Sequence, residues 1–147
     1  SKNIIITRTL SKIYGLAGLR IGFGIARKEI IGFMERIRPP FNTTIPAQEA
    51  GIAALDDKEY INRSFENNIK GRVYLYSAFD SLGIDYIPTY ANFILCRIPN
   101  ATEVIKELEK RGIIIRDMFG IGPEYVRISI GTEEENLLLV QNLKELL

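Results

Sequence analysis

A chain of 147 residues is long enough for one compact core, and 46% apolar with 25% charged residues is ordinary for a soluble globular protein. With 19 basic against 18 acidic residues the net charge is +1, which gives no reason to expect nucleic acid or an anionic membrane surface as a partner. The lack of histidine and the single Cys96 exclude an internal disulfide framework, the usual zinc and haem ligand sets, and any Ser-His or Cys-His nucleophile within this chain.

No transmembrane run and no signal-peptide pattern is found, and one cysteine fits a reducing compartment, so a cytoplasmic location is expected. The chain opens at Ser1 without an initiator methionine and enters an apolar strand at once, at Asn3-Ile4-Ile5-Ile6-Thr7. It reads as a piece of a longer protein; an engineered or processed start would look the same.

Ile4-Ile5-Ile6 has the continuous apolar character of a strand covered on both faces. Residues 8–18 form a loop with Gly15 and Gly18. From Leu19 to Ala26 the pattern alternates: Leu19, Ile21, Phe23 and Ile25 point one way, and Arg20, Gly22 and Gly24 the other. That second face holds one charge and is otherwise cleared of side chains, so a small bound group could lie close to the backbone. Lys28 to Arg38 is expected to be a helix with Ile30, Ile31, Phe33, Met34 and Ile37 on its apolar side, ended by Pro39-Pro40. Phe41-Asn42-Thr43-Thr44 is a loop, and Pro46 suits the first turn of a helix running to about Leu55.

A long helix is expected over Glu59 to Leu82, stopped by Gly83. Its length suits a connector between two bodies. A strand follows at Asn92 to Ile98, then a helix capped by Asn100 with Glu103 three residues on, closed by Gly112. Ile113-Ile114-Ile115 reads as a short buried strand, and Tyr125 to Ile130 as another with Val126, Ile128 and Ile130 inward. Thr132 and Glu135 make a second capping box for a final helix through Leu147. This β-α-β-β-α order fits a small α/β module. Residues 1–66 read as an incomplete α/β layer and residues 67–147 as a nearly complete small domain.

Chemistry concentrates around Lys12. A lysine that attacks a carbonyl must be neutral, and its ordinary pKa of about 10.4 makes it a poor nucleophile unless burial or a nearby cation lowers it. Arg20 can supply that cation if the loop folds back. Thr9, Ser11 and Arg20 together offer two hydroxyls and a guanidinium, a set suited to a phosphate. No dinucleotide fingerprint and no Walker sequence is present. Glu133, Glu134 and Glu135 are expected only to complement a helix dipole, Arg36 and Arg38 likewise at a helix end, and Tyr74 and Tyr76 to be packing groups.

The run Thr9-Leu10-Ser11-Lys12-Ile13-Tyr14-Gly15-Leu16-Ala17-Gly18-Leu19-Arg20-Ile21-Gly22 resembles the cofactor-lysine motif of the pyridoxal phosphate (PLP)-dependent aminotransferases of the aspartate aminotransferase superfamily, and among them most resembles the histidinol-phosphate aminotransferases. Arg38-Pro39-Pro40-Phe41-Asn42, Ala91-Asn92-Phe93-Ile94-Leu95, Gly112 to Asp117 and Tyr125 to Thr132 resemble later segments of that family. The likeness runs the whole length of the chain, which corresponds to less than half of a family member, its C-terminal part. It implies an α/β fold: a remnant of the large PLP-binding domain's sheet in residues 1–66, and a connecting helix with the small domain in 67–147. It implies that Lys12 forms an imine with pyridoxal 5'-phosphate and later shuttles a proton. Thr9, Ser11 and Arg20 would hold the cofactor phosphate. Arg127 would clamp the substrate α-carboxylate with Asn92 nearby, Arg116 is a candidate for the substrate's own phosphate, and Asn42 would line the site, that of a second subunit included.

The family's acidic partner for the pyridine nitrogen and its ring-stacking aromatic lie upstream of the lysine and have no matching place here. The resemblance therefore implies an aminotransferase parent, a homodimer acting on amino-acid and keto-acid substrates, with histidinol phosphate and 2-oxoglutarate as the best pair, and an isolated chain of little or no activity. The alternatives are another aminotransferase or a phospho-amino-acid decarboxylase of the same superfamily, or a truncated structural domain without the cofactor.

Overall fold

The helices begin and end where local chemistry directs them. The computed structural model describes residues 3–147. Residues 1 and 2, the start of the expected first domain, lie outside the described residues. Strand β1 (Ile6–Thr9) pairs antiparallel with β2 (Gly22–Ile25), in register Thr9 with Gly22 and Ile6 with Ile25. Helix α1 (Lys28–Ile37) stops before Pro39-Pro40, and α2 (Ile45–Asp56) starts with Pro46 in its first turn, where the Thr44 hydroxyl accepts a hydrogen bond from the Ala47 N–H at 3.3 Å. Helix α3 (Lys58–Leu82) ends at Gly83, whose φ is +67°.

Beyond α3 the chain builds a four-stranded antiparallel sheet from β3 (Asp85–Ile87), β4 (Phe93–Arg97), β5 (Arg116–Asp117) and β6 (Tyr125–Ser129), in the order β3-β4-β6-β5. Helices α4 (Ala101–Lys110) and α5 (Glu133–Leu146) complete it. Alternation divides the sheet. Ile94, Cys96, Val126 and Ile128 enter the core, where they cluster with Leu75 and Phe79 of α3, Val104 and Leu108 of α4, and Leu139, Val140 and Leu143 of α5. Phe93, Leu95, Tyr125, Arg127 and Ser129 occupy the alternate positions, on the other face. Burial pushes the Cys96 thiol up to about 12, so it is an inert core residue and no nucleophile.

The chain divides into two compact units, one ending at Phe65 and the other spanning Glu66–Leu147. They differ in how apolar surface is handled. The second holds the whole hydrophobic cluster. In the first, Leu10 and Ala47 are the buried apolar side chains among the described residues, while Phe33, Ile37, Phe41 and Ile45 are exposed.

Several local expectations are corrected. Ile4, Ile5 and Ile6 are exposed, and only Ile6 is in the strand; an apolar run has strand propensity, but no described element covers these side chains. Alternation does not begin at Leu19: Ala17–Leu19 form a 3-10 turn and Arg20 sits at φ 54°, so the strand starts at Gly22. Asn100 caps no helix amide with its side chain, because its backbone is left-handed at φ 54°; its carbonyl accepts from the Glu103 N–H instead. Ile113-Ile114-Ile115 is not a strand: Ile115 is buried but Ile114 is 84% exposed, and pairing starts only at Arg116. Strand β3 is an addition to the expected order. Tyr76 does more than pack: its ring stacks on Tyr86 with centroids 4.5 Å apart, and its hydroxyl accepts from the Thr89 N–H at 2.7 Å.

The Thr132 capping box forms as expected, with the Thr132 hydroxyl accepting from the Glu135 N–H at 3.3 Å and the Glu135 carboxylate accepting from the Thr132 N–H at 2.8 Å. Thr132→Ala is expected to cost about 1 kcal/mol. Urea denaturation checks this as a lowered midpoint with an unchanged slope.

Candidate functional site

In the first unit the candidate residues sit on the loop between β1 and β2. Leu10, 2% exposed, anchors it. Its N–H donates to the Ile21 carbonyl at 3.1 Å and its carbonyl accepts from the Leu16 N–H at 3.0 Å. The first of these bonds carries the pairing one rung past the ladder. Ser11 is the next residue forward on one side and Arg20 the next residue back on the other, so the chain returns on itself.

Lys12 opens a turn closed by the Gly15 N–H donating to the Lys12 carbonyl at 2.9 Å. Its side chain is exposed. The Thr9 hydroxyl accepts from the Ser11 N–H at 3.1 Å and keeps its own proton free to donate. Arg20 donates from Nη1 to the Ala17 carbonyl at 2.9 Å and has no carboxylate partner among the described residues. Asn42 is exposed and accepts from Arg38 at 3.2 Å.

Two glycines shape this loop. A Cβ on Gly22 would lie 2.5 Å from the Arg8 carbonyl oxygen, so the bareness of that strand position is required by β1 itself. Gly15 has φ +70°, and a Cβ there would lie 2.5 Å from the Tyr60 hydroxyl of α3. Tyr60 thus braces the lysine turn, a contact between residues 45 positions apart that no local pattern announces. Gly15→Ala is expected to destabilise by about 1–2 kcal/mol from the left-handed backbone alone. Chemical denaturation of Gly15→Ala beside Gly15→Ala/Tyr60→Phe measures how much further loss the hydroxyl adds.

In the second unit Arg116 and Arg127 face each other directly across β5 and β6. Like charges placed opposite one another are unfavourable, and neither arginine has an ion-pair partner among the described residues. The Arg127 Nε is buried without a hydrogen-bond acceptor. The Arg127 guanidinium lies 5.1 Å over the centre of the Phe93 ring. Asn92, exposed, precedes Phe93, and its carbonyl accepts from the Ile130 N–H at 3.0 Å.

The loop that carries Asn92 is tied to α3 by side chains four residues apart: Asn68 donates to the Ala91 carbonyl at 3.4 Å, Arg72 to the Thr89 carbonyl at 3.1 Å, and Tyr76 accepts from Thr89. The i, i+4, i+8 spacing of polar residues in the sequence was the available signal for this stripe. Phe93 carried a weaker one: alternation puts it on the face away from the core, but its position under Arg127 needs the β4–β6 register. No cluster of metal-binding side chains occurs among the described residues.

The model for aminotransferase class I and II matches residues 1–143. A histidinol-phosphate aminotransferase of Moorella thermoacetica is 47% identical over 148 residues, covering 99% of this chain and 38% of the relative. One from Akkermansia muciniphila is 44% identical over 147 residues, covering 99% of this chain and 40% of the relative. Among solved structures, the histidinol-phosphate aminotransferase of Sinorhizobium meliloti in complex with pyridoxal-5'-phosphate is similar with a TM-score of 0.87 at 27% identity, over 99% of this chain and 42% of that one. The chain spans about 40% of the length of the curated relatives it matches.

Proposed function

The chain belongs to the aminotransferase class I and II family, whose members use pyridoxal 5'-phosphate, and from that membership we propose that it is the C-terminal part of an enzyme transferring the amino group of histidinol phosphate to 2-oxoglutarate, giving imidazole acetol phosphate and glutamate in histidine biosynthesis. In this reading residues 1–66 are the end of the large cofactor-binding domain, and residues 67–147 are the connecting helix and the small domain. The whole protein is a cytoplasmic homodimer, and the isolated chain has little or no activity.

The observation that carries the reading is the returning loop. A lysine opens its turn, Arg20, without a carboxylate partner among the described residues, stands on one arm, and Thr9 and Ser11 stand on the other. These groups suit a phosphate ester and an aldehyde presented together. Arg20, Thr9 and Ser11 bind the phosphate by charge-assisted hydrogen bonds. Bound there, pyridoxal phosphate supplies the electron sink that lets the substrate α-carbon give up its proton. Lys12 Nζ carries that proton to and from the carbon. Arg127 orients 2-oxoglutarate and glutamate through their α-carboxylate, Asn92 and Asn42 line the approach, and Arg116 takes the phosphate of histidinol phosphate, which has no carboxylate. The opposed Arg116 and Arg127, without an ion pair among the described residues, support anionic substrates.

The test is to produce the longer protein, follow its near-visible absorbance on loading with pyridoxal phosphate, and assay a panel of amino donors. Uptake of the cofactor with turnover of histidinol phosphate is expected. No uptake overturns the enzyme reading. Uptake with brisk turnover of phenylalanine and none of histidinol phosphate overturns the substrate, and release of carbon dioxide instead of amino transfer identifies a decarboxylase.

A further inference from the structure

We infer that Phe93 is a positioning residue that holds the Arg127 guanidinium in the orientation needed to receive a substrate carboxylate; this rests on the proposed role of Arg127. The argument starts from the freedom of an arginine on a sheet face. A long side chain with no ion pair would normally sample several rotamers and keep its head in water. The Arg127 Nε is closed off from solvent, and its guanidinium lies 5.1 Å over the Phe93 ring. That is within the range at which an aromatic face attracts a cation.

The sheet explains why the two meet. In the β4–β6 register Phe93 pairs with Ser129 and Leu95 with Arg127, so Phe93 is the diagonal neighbour of Arg127 on the face away from the core. The small Ser129 across from Phe93 leaves the space above the ring to the arginine. On the other side Arg116 stands directly opposite and repels it. Attraction from one neighbour and repulsion from the other both push the guanidinium toward the ring. A guanidinium resting on a ring face keeps the N–H groups at its edge available, and that edge is what a carboxylate grips bidentately. A carboxylate partner on the sheet would have fixed the side chain equally well but would have consumed that edge.

Phe93→Leu keeps an apolar side chain of similar size and loses the ring; Phe93→Tyr keeps the ring. In the 147-residue chain, proton NMR of Arg127 reads the geometry. The Nε–H and Cδ protons are expected upfield in the native chain and in Phe93→Tyr, through the ring current, and at ordinary arginine positions in Phe93→Leu. In the longer, cofactor-loaded enzyme, Phe93→Leu is expected to raise KM for the keto acceptor 2-oxoglutarate about fivefold, with kcat within about twofold. Phe93→Tyr is expected to restore it.

Arg127 resonances that do not move in Phe93→Leu overturn the inference. So does an unchanged KM, a fall in kcat at constant KM, or a Phe93→Tyr enzyme as impaired as Phe93→Leu, each of which makes Phe93 a packing residue only. If the native longer protein transaminates nothing, the proposed function fails instead, and the NMR comparison alone decides whether Phe93 holds Arg127.

Discussion

Replacing Lys12 by alanine in the longer, cofactor-loaded protein is expected to lower the rate of amino transfer by about 10²–10⁴ from the lost proton transfer alone. Loss of the covalent tie to the cofactor adds to this. The size of the effect follows from how few substitutes the loop offers. A guanidinium such as that of Arg20 offers donors only and no acceptor, and the Thr9 and Ser11 hydroxyls are weak bases, the former already accepting from the Ser11 N–H. Lys12→Arg separates the two roles of the side chain. It keeps the positive charge but cannot deprotonate, so it is expected to be as inactive as Lys12→Ala. Near-visible absorbance, turnover, and borohydride treatment followed by peptide mapping are the measurements. The label is expected on Lys12 in the native protein and nowhere in either variant. Turnover within tenfold of the native rate in Lys12→Ala would remove the basis of the proposed mechanism.

The second large effect is expected at Arg127, where function and stability should move in opposite directions. Hydrogen bonds to charged groups are worth about 1.5–3 kcal/mol each. Loss of a bidentate grip on the α-carboxylate of 2-oxoglutarate is therefore expected to lower kcat/KM for that acceptor by about 10²-fold in Arg127→Leu. Arg127→Lys is expected to recover only part of it, because an ammonium cannot present two parallel donors. In the isolated chain Arg127→Leu removes a buried donor that has no acceptor and a charge directly opposite Arg116. It also loses the attraction to Phe93. An unsatisfied buried group costs about 1–3 kcal/mol, and the ring contact contributes about 0.5–1 kcal/mol. The net expectation is unchanged or higher stability, by up to about 2 kcal/mol, read from urea denaturation. A variant that unfolds more easily while binding substrate normally would make Arg127 a structural residue.

Local signals served well where both partners of an interaction lie within one or two turns of chain. Thr132 and Glu135 find each other across a single helical turn, and Pro39-Pro40 ends α1 without help from any distant residue. The same kind of reasoning failed at Asn100, whose side chain is the right type three residues before Glu103 but whose left-handed backbone turns it away. It failed again at Ile113-Ile114-Ile115, where β-branched residues favour extended chain but a strand exists only if a neighbour offers its N–H and C=O groups. Strand β3 shows the converse. Three residues with no clear pattern become a strand because β4 lies alongside.

The candidate site divides along the same line. Lys12, Thr9, Ser11 and Arg20 were legible as a set because they fall within one short stretch whose spacing is itself the motif. Arg127 and Arg116 were legible as residues with plausible roles. That they stand opposite one another, unpaired, with Phe93 under one of them, follows from strand register and could not be read from spacing. The bracing of Gly15 by Tyr60 was hidden for the same reason.

By itself, then, the order of residues determined the helices and their stops, the alternation that gives the sheet a core face, and the grouping of Lys12 with Thr9, Ser11 and Arg20. Each of these depends on groups a few bonds or one turn apart. Tertiary structure alone decided which strands pair, which arginines confront each other, and which aromatic ring lies beneath a guanidinium. Those outcomes depend on contacts between distant segments, whose free energy is settled only when the whole sheet and its helices pack together.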